Sequence, residues 1–178
     1  MKNAKATATL ALVLLASGCA QPAEEEKRTF TTPNSLCGTP VPAKLLSPLL
    51  PASGEKIEEE KKELIGYSRC TASVDGERVL TASWEWMERG RTARSVAYDS
   101  PYQDLADVES KDKRYVYSDT GGVSRVTCEP TVAHRRGEAE LFVTIALAED
   151  HKAPAPEMKK LLLAYAEALS DSSECVQK

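Results

Sequence analysis

The chain has 178 residues, 42% hydrophobic and 28% charged, with 23 basic and 27 acidic side chains and a formal net charge of −4. That length supports one domain with a real core, not two large lobes closing around a solute. The acidic balance excludes the electrostatic footprint of a nucleic-acid binder and any broad attraction to anionic lipid.

In chain order the first element is a secretory signal. Lys2 and Lys5 precede an apolar run, Ala6 to Ala16, and the segment ends in Ala16-Ser17-Gly18-Cys19. A membrane-spanning helix takes about 20 apolar residues, so this shorter run reads as an address removed by a peptidase. Small residues before a cysteine whose thiol can accept a diacylglyceryl group resemble the lipobox of bacterial lipoproteins, with Leu15 one place upstream of that motif's usual leucine. The resemblance implies cleavage before Cys19 and anchoring through lipid on Cys19, with acyl chains such as palmitate, at the extracytoplasmic face of the cell membrane. Two or three chains, at about 0.8 kcal/mol per buried CH2, hold a protein stably. Loss of residues 1–18 leaves 21 basic and 27 acidic side chains, a formal net charge of −6.

Setting Cys19 aside leaves Cys37, Cys70, Cys128 and Cys175, an even set that reads as two disulfides in an oxidising compartment. Three pairings exist. Cys37 with Cys70 and Cys128 with Cys175 is favoured, because each pair joins segments of one half of the chain. No C-x-x-C hook is present, so no zinc site is expected.

Residues 19–36 form the lipidated cysteine and a tether, polar and aperiodic from Ala20 to Leu36; the folded domain is expected over 37–178. Thr39 and Pro40 suit the start of a short helix that Pro48 ends. Glu55 to Leu64 is rich in helix formers and is expected as an exposed helix with Ile57 and Leu64 inward, a charged edge strand being the alternative. A hairpin follows: Cys70, Ala72 and Val74 alternate with polar residues, Asp75-Gly76 turns, and Leu80, Ala82, Trp84 and Trp86 share one face of the next strand. Ser100-Pro101-Tyr102-Gln103 has the form of a capping box, opening a helix to about Glu109. Arg114 to Ser118 reads as a short strand with a turn after it. A second hairpin is expected from Val123–Val132, turning at Arg135-Arg136-Gly137, to Ala139–Leu147. Pro156 opens the clearest helix, with Met158, Leu162, Tyr165 and Leu169 in one stripe and Leu161 beside it. These elements predict an α+β domain: an antiparallel sheet built from hairpins, covered on one side by helices that include the amphipathic C-terminal one.

Reactive constellations are scarce. His134 and His151 stand alone, with no H-E-x-x-H, no G-x-S-x-G elbow, no Walker A and no G-x-G-x-x-G, so neither a cofactor nor a catalytic metal is expected. Glu85 and Glu88 beside the tryptophans are the candidates for a carboxylate pair resembling that of glycosidases. Trp84, Trp86, Arg89, Arg91 and Arg94 form the candidate binding surface; the arginines suit anionic headgroups or an acidic protein surface.

The lipobox, the acidic proline-containing tether, the stretch CGTPVPAKLLSPLLP after the tether and the cysteines in successive hairpins together resemble small exported actinobacterial lipoproteins of unknown function. The resemblance covers most of the mature chain and implies a membrane lipoprotein facing the cell wall; it carries no functional residues over. The expectation is a noncatalytic binding or interaction domain whose partner is a cell-envelope protein or cell-wall ligand and not nucleic acid. The alternatives are a carboxylate-dependent cell-wall hydrolase and a small-ligand carrier with an apolar cavity under the sheet.

Overall fold

The computed structural model describes residues 27–100, 108–128 and 139–176. Seven strands form one antiparallel sheet in the order β3-β4-β5-β9-β8-β7-β6. In chain order they are β3 (Ile57–Leu64), β4 (Tyr67–Val74), β5 (Glu77–Glu88), β6 (Val108–Glu109), β7 (Tyr115–Tyr117), β8 (Gly121–Arg125) and β9 (Ala139–Leu147). A separate two-stranded hairpin, β1 (Ser35–Leu36) and β2 (Thr39–Pro40), precedes them. The helices are α1 (Ala43–Leu46), running into a 3-10 turn at Ser47–Leu49, then α2 (Ala93–Asp99) and α3 (Ala155–Ser170). The predicted α+β class holds.

The β4–β5 hairpin forms as its pattern requires. Burial alternates without a break along β4, and Asp75 and Gly76 both take positive φ, 51° and 86°, the backbone of a tight two-residue turn whose twist suits antiparallel strands. Cys70, Ala72, Leu80, Ala82 and Trp84 are buried on one face, and Val143 and Ile145 of β9 continue it. Against that face lies α3, with Met158, Leu161, Leu162, Tyr165 and Leu169 buried. Each such large side chain removed from water contributes roughly 1.5–3 kcal/mol. The Tyr165 phenol is buried, which pushes its pKa up, while a hydrogen bond with Thr39 pulls it the other way and ties α3 to β2.

Five expectations need correction. Glu55 to Leu64 is not a helix: Ile57–Leu64 is strand β3, all eight residues in register with β4. Its helix propensity yields to the ladder, since β4 would otherwise leave a row of backbone groups without partners. Ile57 and Leu64, seven apart, would share a helix face; as a strand they point to opposite sides, and Leu64 is exposed. Thr39-Pro40 does not start a helix but closes the β1–β2 hairpin, and α1 begins after Pro42. No helix runs to Glu109: α2 ends at Asp99 and Val108–Glu109 is strand, while residues 101–107 lie outside the described residues. The helices are not confined to one side. Ala93, Val96 and Ala97 of α2 pack with Val116, Val123 and Phe142, which by strand alternation face away from α3. The helix α2 starts at a capping box in which the Thr92 hydroxyl accepts from the Ser95 N–H and the Ser95 hydroxyl accepts from the Thr92 N–H, both at 3.1 Å.

The fifth concerns the tether. From Arg28 on, the stretch expected to run free to Leu36 is bonded to the domain. The Arg28 guanidinium donates to the carbonyls of Pro51 at 2.7 Å, Leu50 at 2.7 Å and Ser47 at 3.1 Å, and Phe30 packs on the core. A fork of five donors suits carbonyls at the end of a helical turn, where intrahelical partners run out. Arg28→Ala is therefore expected to lower unfolding free energy by about 1–3 kcal/mol, measured by urea denaturation; an unchanged midpoint would show that these bonds contribute nothing net.

Strand β8 ends at Arg125, short of Val132, and the expected turn at Arg135-Arg136-Gly137 lies outside the described residues. Two disulfides close the fold, Cys37–Cys70 and Cys128–Cys175, in the favoured pairing. The first pins the β1–β2 turn to β4, and the second pins the chain after α3 to the end of β8's face.

Candidate interaction surface

The sheet is covered unevenly. On one side α3, α1 and the 3-10 turn bury the strands; on the other, among the described residues, α2 is the only helix, and it contacts β7 and β8. Its packing extends to Phe142 of β9 and Met87 near the end of β5. The open half of that face is formed by β3, β4 and β5, and antiparallel sheets tolerate water on one side when the outward residues are polar.

Alternation decides what is displayed. Arg69, Thr71 and Ser73 of β4 face outward, with Ser83 opposite Arg69 and Thr81 opposite Thr71 in register. Tyr67 lies opposite Glu85 at the end of this row, and the Arg69 guanidinium sits 5.6 Å from the Tyr67 ring centroid, a cation-π distance. The Tyr67 hydroxyl is enclosed and makes no hydrogen bond among the described residues. At the tip of the β3–β4 hairpin, Leu64 is 59% exposed and Ile65 fully so. Hydroxyls, one aromatic ring, the Arg69 guanidinium and the Glu85 carboxylate, with Glu58, Glu60 and Lys62 of β3 on the same side, can exchange hydrogen bonds with a surface laid on them.

The residues singled out in the sequence do not come together. Trp84 is core, 7% exposed, and Trp86 is half-buried on that same face beneath the helices. Glu85 and Glu88 are three apart on one regular strand, so they project from opposite faces and cannot flank one sugar bond. Arg91 donates to the Ser95 hydroxyl at 3.1 Å and pairs with Asp99, while Arg94 pairs with Glu109 at 3.3 Å. Only Arg89 of the three is an exposed side chain, so the cluster is a set of local ion pairs and not a basic patch. His151 lies in a turn, its N–H donating to the Ala148 carbonyl at 2.8 Å; His134 and Cys19 lie outside the described residues.

Potential metal or nucleophile positions resolve in the same way. Cys37, Glu59 and Cys70 converge, but the two sulfurs are joined to each other and the Glu59 carboxylate accepts the Cys37 N–H at 2.7 Å. Ser124 is buried and its hydroxyl donates to the Arg125 carbonyl at 3.3 Å. The apolar side chains between α3 and the sheet, where a carrier would hold its ligand, include Met158, Leu161, Leu162 and Ile145 at 0% exposure.

The hydroxyl-bearing row was readable in principle, since Thr71, Ser73, Thr81 and Ser83 alternate with the core residues that define the hairpin. What the sequence does not display is that α2 stops short of it. No protein-family model matches the chain, and no curated protein or solved structure matches it either.

Proposed function

We propose that the chain is a noncatalytic, lipid-anchored domain on the extracytoplasmic face of the membrane that docks a cell-envelope protein on the open half of its sheet. One observation carries this reading: the sheet is buried along one side, while on the other, among the described residues, no helix lies over β3, β4 and β5, and β4 and β5 display a row of hydroxyls. The two disulfides support an oxidising compartment. A protein surface suits the flat face better than a cell-wall glycan does, because rings that stack on sugars would have to be at the surface and both tryptophans lie on the core side.

Two measurements separate the parts. Cys19→Ser is expected to release the protein from membranes to the soluble fraction, whatever the docking face does. A photoreactive residue at Thr81 is expected to give a discrete protein adduct in intact cells, absent when the same residue replaces Lys160 on the solvent side of α3 and lost when Thr71→Arg is added. Equal adducts at both positions, none at Thr81, or no effect of Thr71→Arg would sink the docking reading.

A further inference from the structure

The outer edge of β3 is the other uncovered feature of the sheet. It ends the strand order, so among the described residues no strand pairs with it. Such an edge presents unpaired N–H and C=O groups, and proteins ordinarily blunt it by making it short, bulged, proline-bearing or charged, lysine above all. Strand β3 has eight residues, an unbroken register with β4 and no proline, so charge is the one such device it carries. Its charges are also not of one sign. Glu58, Glu59 and Glu60 are followed by Lys61 and Lys62, and an acid-then-base block is complementary to itself when run antiparallel.

We propose that β3 pairs edge to edge with β3 of a second copy of this chain. A two-fold axis perpendicular to the sheet keeps the faces matched only if one residue lies opposite its own copy. Centring on Glu60 sets Glu58 opposite Lys62 of the partner subunit and Glu59 opposite Lys61 of the partner subunit, each twice by symmetry, against a single Glu60 contact with its own copy. Centring on Lys61 keeps only the Glu60 contact with Lys62 favourable and opposes like charges at the centre and at Glu59 with Glu63, so the charges select Glu60. The existing ion pairs, Lys56–Glu58 and Lys61–Glu63, are exposed and run along the strand, and the Glu59 carboxylate already accepts the Cys37 N–H, so the Glu58 contact with Lys62 of the partner subunit carries most of the selection. This axis makes the open faces of the two copies one continuous platform. The contact stands on β3 alone, and it does not require the docking proposed above.

The test uses the chain from residue 19 with Cys19→Ser, studied by sedimentation equilibrium over a concentration series at low salt. Glu58 and Lys62 are both exposed on the open face, away from the Cys37–Cys70 bond, so charge reversal there leaves the fold intact. The unsubstituted strand is expected to show reversible dimerisation. Glu58→Lys alone and Lys62→Glu alone each place two like-charge pairs in the interface and are expected to weaken it by about tenfold or more. The double variant Glu58→Lys/Lys62→Glu restores both pairs and is expected to regain dimerisation. A protein that stays monomeric throughout would overturn the proposal and make the charges an edge guard; so would dimerisation indifferent to the single reversals, or a double variant no better than the singles.

Discussion

Removing the Cys128–Cys175 bond by Cys128→Ala/Cys175→Ala is expected to cost about 2–5 kcal/mol of unfolding free energy. The bond closes a separation of 47 residues in the unfolded chain, and Cys175 is completely buried where it meets the sheet. Cys37→Ala/Cys70→Ala opens a separation of 33 residues. On loop length alone the two losses differ by only about 0.3 kcal/mol, so a larger gap in denaturant midpoints would report packing around the bonds. Hydrogen exchange should localise the consequences. Loss of Cys128–Cys175 is expected to free amides from Leu169 to Val176, at the end of α3, and loss of Cys37–Cys70 to free the β1–β2 hairpin. A domain of this size lacking both is expected to lose cooperative unfolding at 37 °C. Unchanged midpoints in both variants would mean the bonds are not formed in the native protein.

Much of the fold was legible because local pattern and tertiary need coincide. In the β4–β5 hairpin the period-two burial, the Asp75-Gly76 turn and the apolar face of Leu80, Ala82 and Trp84 all point one way, and the stripe on α3 is equally consistent. Strand β3 was hard to read because its residues favour a helix and only its pairing with β4, the strand that follows it, fixes it as a strand. The helix α2 was obscured by the arginines around its start: Arg89, Arg91 and Arg94 suggest a solvent-facing loop, and Asp99 and Glu109, the partners of Arg91 and Arg94, are recognisable only once α2 and β6 are placed. The separation of Glu85 from Glu88, by contrast, was available from strand period alone, since an odd spacing along a strand puts two residues on opposite faces. The candidate surface depends on where a short helix ends, which composition does not specify.

Leu162→Ala is expected to lower stability by about 2–5 kcal/mol, because this side chain is fully buried between α3 and the sheet and its removal leaves a space the neighbours only partly fill. It lies against Gly122, within β8. The glycine is needed there for closeness and not for unusual backbone: a Cβ at 122 would stand 2.8 Å from Leu162 Cδ2 and 3.0 Å from the Val116 carbonyl oxygen. Gly122→Ala is accordingly expected to cost about 1–3 kcal/mol through overpacking. Combined with Leu162→Ala, the added methyl group enters the space vacated by the leucine, so its cost falls. It does not vanish, because the Val116 carbonyl is backbone and stays in place. The double variant should then be more stable than the sum of the two losses, by about 0.5–3 kcal/mol of coupling. Strictly additive losses would mean that α3 is not seated on β8 at this point, and with it would go the argument that one face of the sheet is sealed while the other is left open.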